Sequence, residues 1–349
     1  MSFLRKYVIA PFVCLLFVLQ AHAVTVRGLN EAEVPVADHS ADALAAGSKE
    51  ALAQVLVKLS GSTEVLRNPV IIGELGRARS YVQQYSYTRD EDVEGDLAAR
   101  FEFDNAVVTR LLTEAGAPIW TANRPPVLVW LVARDASGTQ IVSRDVAPEV
   151  MASLQKAFSR RGIPLRSPLF DIEDAAALSV NDAWRLQAAP ILAASQRYRV
   201  ENVLVGRLTS LSSGEWVGDW SYFADTNRID RSISADSVTS FIGEGAAFVA
   251  EDMSNRYAVA ATGAVLGGVE MMVSGVSDFA DYAVIVSWLE GLELIDHANV
   301  ESIVGTDIVI RLTARAQSQQ LKSIIELNRK LVPVAGAMNV DQLSYQWLK

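Results

Sequence analysis

Cysteine is almost absent: the 349-residue chain holds one, Cys14, inside an apolar run near its start. That excludes a disulfide framework, a cysteine nucleophile and thiolate-ligated zinc from the rest of the chain. Histidine is nearly as scarce. Beyond the leader only His39 and His297 remain, and neither has a second His, a Cys or a spaced carboxylate to suggest a metal cage. Basic charge is in deficit, 31 Lys and Arg against 41 Asp and Glu for a net charge of −10. This argues against a nucleic-acid-binding protein, because phosphate binding needs clustered cations. No G-x-S-x-G elbow occurs, Gly61-Ser62-Thr63 lacks the rest of a phosphate loop, and Gly263…Gly267-Gly268 reads as a linker. The reading is of a protein with no catalytic residues, no cofactor and no metal.

What is present in quantity is apolar surface, half of all residues, enough for two or three domains with cores of their own. The first 23 residues read as a signal peptide. Arg5 and Lys6 form a positive start, Val8 to Leu19 an apolar run, and Ala21-His22-Ala23 the small-x-small pattern of a cleavage site. The run falls short of the ~20 residues a permanent span takes, and no later run reaches it. Cys14 lies mid-run, so lipidation is not expected. Cleavage after Ala23 removes Arg5 and Lys6 and takes the charge from −10 to −12. We expect a periplasmic protein without an integral membrane segment after cleavage.

The rest divides into α/β and α+β modules at two breaks, Gly116 to Pro126 and Ala260 to Gly268, where turn residues meet a change of periodicity. The first module, 24–122, carries a helix with Leu52, Val55, Leu56 and Leu59 at i, i+3, i+4, i+7, opened by Ser40 or Asp42 and closed by Gly61. Asn68-Pro69 opens a short helix, two strands follow (81–88 and 97–103), and Asp104 caps a last helix. The second, 125–260, opens with Val127-Leu-Val-Trp-Leu-Val132, typical of a strand buried on both faces. It continues through a helix carrying Met151, Leu154 and Phe158, a helix over 181–195 interrupted at Pro190, and a strand at Val203 to Leu208. A strand meander (215–223, 228–234) and a helix opened near Ser240 complete it. The third, 268–349, reads strand, helix, strand, strand, helix, strand, the ferredoxin-like split order βαββαβ. That fold hosts many functions and carries little functional weight.

Three features compete for a functional role. Asp90-Glu-Asp-Val-Glu-Gly-Asp96 imitates the opening of a calcium loop, but Phe101 stands where the closing Glu belongs, so a solvated turn explains it better. In Glu215 to Phe223, alternation places Trp216, Gly218, Trp220 and Tyr222 on one face. Two indoles across a glycine gap can stack a glycan, peptide or aromatic ligand, although packing under a helix is the commoner fate of strand aromatics. Arg197 and Arg207, beside and within an apolar strand, suit either an anionic-ligand clamp or half-buried ion pairs, with Asp219 and Glu215 as cross-strand partners for Arg207. Trp216, Trp220, Tyr222, Arg197 and Arg207 are thus the candidate ligand-binding residues.

Several stretches resemble an uncharacterised family of exported Gram-negative envelope proteins, a domain of unknown function. They are Ala51-Leu…Leu59-Ser-Gly61, Arg124-Pro-Pro-Val-Leu-Val-Trp130, Arg161-Gly-Ile-Pro-Leu165, Arg197-Tyr198, Val203-Leu-Val-Gly-Arg207 and Trp216-Val-Gly-Asp-Trp220. The resemblance implies an envelope setting and transfers no activity. Residues 125–210 also resemble the α/β modules of periplasmic assembly proteins, through Arg161-Gly162 before a short strand and the Val203 to Gly206 strand. The function expected is a non-catalytic accessory or protein-binding factor with an envelope protein as partner and no nucleic acid. A small-ligand-binding protein is the alternative, and a carboxylate-dependent hydrolase comes last.

Overall fold

The structure, a computed structural model, describes residues 24–89, 97–135, 138–224, 226–260, 266–292, 294–327, 330–334 and 343–348. The leader with Cys14 and the acidic turn 90–96 lie outside the described residues. The described chain is a mixed α/β protein.

The first module runs β1 (Val24–Thr25), β2 (Glu31–Pro35), α1 (Ala41–Ser60), α2 (Pro69–Leu75), β3 (Val82–Arg89), β4 (Leu97–Phe103), α3 (Asn105–Glu114), β5 (Pro118–Ile119) and β6 (Asn123–Arg124). Its helix boundaries follow local chemistry. The Ser40 hydroxyl accepts from the Ala43 N–H at 3.1 Å, and Asn68 and Asp104 cap α2 and α3 in the same way. Gly61, at φ +80°, closes α1. The expected stripe Leu52, Val55, Leu56, Leu59 is buried. It packs with Ala32, Val34 and Phe101 of the antiparallel sheet β2-β4-β3.

The second module contains β7 (Val127–Asp135), β8 (Gly138–Ile141), α4 (Pro148–Arg160), β9 (Leu165–Arg166), α5 (Ile172–Ala177), α6 (Val180–Trp184) and α7 (Ala188–Ser195). It ends with β10 (Asn202–Ser210), β11 (Trp216–Ala224), β12 (Asn227–Ala235), α8 (Val238–Tyr257) and β13 (Val259–Ala260). The sheet order is β12-β11-β10-β7-β8, with β9 beside the start of β7, and β7 is parallel to β10 and β9. β7 is buried on both faces as expected. Val127, Val129 and Leu131 face α4 and α8, while Leu128, Trp130 and Val132 face α5 to α7. One correction concerns the expected helix over 181–195. The break lies at Arg185–Gln187, where Leu186 takes φ +52°, rather than at Pro190. Pro190 falls in the first turn of α7, where its missing N–H has no intrahelical acceptor to lose.

The third module has β14 (Leu266–Ser274), α9 (Phe279–Glu290), β15 (Ile295–Val304), β16 (Asp307–Ala314), α10 (Ser318–Glu326), β17 (Leu331–Pro333) and β18 (Leu343–Trp347). Strand order is β15-β16-β14-β18-β17. The ferredoxin-like expectation needs a correction here. In the split motif the closing strand is parallel to the third and so antiparallel to the first, whereas β18 runs parallel to β14. The chain leaves α10 through β17 in the direction the motif requires, then returns as β18 and inserts between β17 and β14. The expected closing strand 338–347 is described only from Leu343.

The first expected boundary is paired, and so is Ala260 at the start of the second, whose residues 261–265 lie outside the described residues. β1 ladders with β6, and β5 with β13, so residues 118–124 join the first module to residues 259–260 at the end of the second.

Candidate functional site

The aromatic face of β11 is core. Trp220 and Tyr222 have no solvent exposure. Trp220 stacks on Phe241 of α8 with centroids 5.0 Å apart, and its indole N–H donates to the Phe241 carbonyl at 3.3 Å. The Tyr222 hydroxyl donates to Asn202 at 2.7 Å and accepts from Arg256 at 2.8 Å, and burial pushes its pKa up. Trp216 is half-buried against the same core. Helix α8 covers the face that would have stacked a ligand, so the packing alternative describes Trp220 and Tyr222.

Arg207 meets Asp219 across the strands at 2.7 Å and donates to the Trp184 carbonyl at 3.1 Å. Burial would raise the Asp219 pKa, but the Ser232 hydroxyl and Arg207 outweigh it and hold it low. Arg197 is 26 residues from its partner Asp171 in sequence, which it grips through two hydrogen bonds at 2.7 and 2.9 Å while also reaching Asp174 and Glu173. That bidentate contact lowers the Asp171 pKa to about 2. Asp174 also accepts from the Tyr198 hydroxyl at 2.5 Å; burial first, then this bond, pushes Tyr198 up to about 12. Both arginines therefore have carboxylate partners within the fold. His39 sets its ring edge-on to Tyr87, and His297 lies in β15.

The feature that organises a site is Arg124, which has no solvent exposure. Its guanidinium donates to the carbonyls of Thr121 (2.9 Å), Trp120 (2.8 Å), Lys58 (2.9 Å), Arg161 (3.1 Å) and Gly162 (3.0 Å). It also lies 3.8 Å over the Trp120 ring. Five N–H donors meet five carbonyl dipoles from the ends of α1 and α4 and from the segment between the modules. Gly162 must be glycine: its φ is +65°, and a Cβ there would sit 2.6 Å from an Arg124 nitrogen. The joint thus fixes α1 of the first module, to which Lys58 ties β2 through the Glu31 carbonyl, against α4 of the second.

Between them opens a cleft of about 730 Å³. One wall is the exposed stripe of α4, namely Ala152, Gln155, Lys156, Ser159 and Arg160, opposite its buried stripe of Met151, Leu154 and Phe158. The other is β2 with parts of β3, β4 and α1. Among the described residues the lining holds six cations (Arg27, Lys58, Arg89, Arg100, Lys156 and Arg160) against two carboxylates, Glu31 and Glu33. Glu33 is paired with Arg100 at 3.1 Å. Among the described residues Arg27 and Arg160 meet no carboxylate. Lys58 is 8% exposed and donates to the carbonyls of Glu31 (2.7 Å) and Gly28 (3.3 Å). Burial, then the charge of Arg124, lowers its pKa to about 8, partly offset by Glu31. Such a cavity concentrates positive potential on an acidic molecule. This group was not legible in the sequence. Lys156 and Arg160 do stand at i, i+4 on the polar side of α4, and Lys58 interrupts the run Val57-Lys58-Leu59, but their meeting is set by the Arg124 joint.

Among the described residues no helix is long and apolar enough to cross a membrane, and no group of three or more His, Cys, Asp or Glu could hold a metal ion. A family model, Domain of unknown function (DUF8605), matches residues 23–121, the first module with one wall of the cleft. No curated protein matches the chain. A crystal structure of an uncharacterized protein aligns over 38% of this chain and 91% of its own at 10% identity, with a TM-score of 0.17. At that score the likeness carries no statement about the fold.

Proposed function

We propose that this is a non-catalytic protein-binding factor of the Gram-negative cell envelope, exported to the periplasm through a leader cleaved after Ala23, and that its partner docks in the cleft between β2 and α4. The observation that carries the reading is the charge of that cleft: among the described residues six cations face two carboxylates on a chain whose net charge is −10. Opposite charge across an interface speeds encounter and selects partners. The Arg124 joint supports the same reading, because a binding surface built from two modules needs them held in register.

The test is crosslinking and affinity capture of the tagged mature protein from intact envelopes, alongside a Lys156→Glu, Arg160→Glu variant. The expected result is one protein recovered reproducibly with the wild type and lost with the variant. Equal recovery by both would place docking elsewhere. Hydrolysis of a peptidoglycan or glycan substrate by the purified protein would replace the binding reading with an enzymatic one.

A further inference from the structure

The cleft is lined by five consecutive residues of β2, Glu31 to Pro35. Ala32 and Val34 turn their side chains into the core, so what they offer the cleft is backbone. The phase of the ladder identifies which backbone groups face it. The Val36 N–H donates to the Leu97 carbonyl at 2.8 Å and the Phe103 N–H to the Asn30 carbonyl at 3.0 Å. With the register Ala32↔Phe101 and Val34↔Ala99, the even-numbered residues of β2 pair with β4, and Glu31, Glu33 and Pro35 point away from it.

That free edge is closed at both ends. The Glu31 N–H donates to the Gly28 carbonyl at 3.2 Å, and its carbonyl accepts from the Lys58 ammonium at 2.7 Å. Pro35 has no N–H to offer. The N–H and carbonyl of Glu33 are left as one complete open rung, with the Pro35 carbonyl beside it. Lys and Pro at an edge are devices against unlimited sheet growth, and here they leave room for one short added strand.

We propose that the cleft takes an extended, acidic segment of the partner protein as an added strand on β2, paired at Glu33 and held by Arg27, Arg100, Lys156 and Arg160. This rests on the protein-binding reading above. Main-chain pairing supplies affinity in strand addition, and alternate side chains supply specificity. A strand carrying carboxylates at every second position presents them on one face, where they meet the cations of the cleft.

The probe is a fluorescent alternating Val-Glu peptide, with an alternating Val-Lys peptide of the same length as control, titrated into the mature protein at low ionic strength. The Val-Glu peptide is expected to bind, the Val-Lys peptide not, and saturation should slow hydrogen exchange of the Glu33 amide about tenfold or more. Glu33→Pro removes the outward N–H together with the carboxylate that pairs Arg100, leaves the β4 ladder intact, and should weaken the peptide about tenfold, as loss of a backbone rung does, while Glu33→Gln, which loses the carboxylate but keeps the N–H, retains it. Binding of the Val-Glu peptide without protection of the Glu33 amide overturns strand addition, and so does equal binding by a folded Glu33→Pro variant. Should Glu33→Pro fail to fold, the exchange measurement on the wild type decides alone. No binding of the Val-Glu peptide, with an envelope protein still captured through Lys156 and Arg160, overturns the acidic-strand proposal and leaves the docking reading standing. Loss of both overturns the two together.

Discussion

Arg124 and Lys58 are neighbours with opposite relations to their surroundings. Arg124 spends its five donors on five carbonyls, so burial costs it no hydrogen bond. A lysine there has three donors, a shorter reach and no planar fork. Arg124→Lys should therefore leave carbonyls at the ends of α1 and α4 unpaired and destabilise the fold by on the order of 3 kcal/mol. Thermal unfolding reads this as a clear drop in Tm; an unchanged Tm would mean the joint is not structural. Lys58 pays for its position in protonation. Its pKa falls from 10.5 to about 8. Between these values the unfolded chain holds a proton that the native chain has released, so this group makes stability rise with pH from about 8 to 10.5. Urea unfolding across that range should show the wild type gaining on Lys58→Met by on the order of 3 kcal/mol. Parallel curves for the two would contradict the lowered pKa.

At the scale of elements, the slot that holds the Trp220 ring explains why β11 is built as it is. The ring lies between β10 and α8, and both approach it through glycine. A Cβ on Gly245 would sit 2.5 Å from the indole, and one on Gly206 would press on the ring and stand 2.7 Å from Leu131. Gly245→Ala should then cost about 1–3 kcal/mol by overpacking, and Trp220→Ala about 3–5 kcal/mol by leaving a cavity. Denaturant midpoints of the two variants check both. A folded Trp220→Ala protein of near-native stability would show that the ring is not structural. The same strand shows what was legible in sequence and what was not. Alternation placed Trp220 and Tyr222 on one face correctly, because that is a property of the strand alone. Whether the face would be open or covered depended on α8, which arrives after β12, and no local pattern reports that. Caps at Ser40, Asn68 and Asp104 were readable for the same reason that Pro190 was misjudged: caps act within a few residues, whereas the position of the α6–α7 break is set by Leu186 joining the tertiary core. In the third module the succession from β14 to α10 could be anticipated, but β17 and the reversal into β18 could not, since β17 intervenes through only three described residues.

At the scale of the whole molecule, the central point is the contrast between the chain's net charge of −10 and a cationic cleft. Arg27 and Arg160 are separated by more than a hundred residues, and the Arg124 joint brings them to one opening. Neither composition nor spacing could reveal this, because net charge averages over the distribution that matters. Capture of a partner through the cleft should weaken as salt is raised, since exposed charges are screened over roughly 8 Å at physiological ionic strength. Insensitivity to salt would argue for an apolar contact instead. The most direct measurement places a photoreactive side chain at Gln155, on the α4 wall of the cleft, or at Phe279, exposed at the start of α9 in the third module. The mature protein is then irradiated in intact envelopes. The account predicts a discrete protein adduct from position 155 that disappears when Lys156 and Arg160 are changed to Glu, and no such adduct from position 279. Adducts of equal yield from both positions, or an adduct from 155 that survives the charge reversal, would contradict a partner-binding cleft.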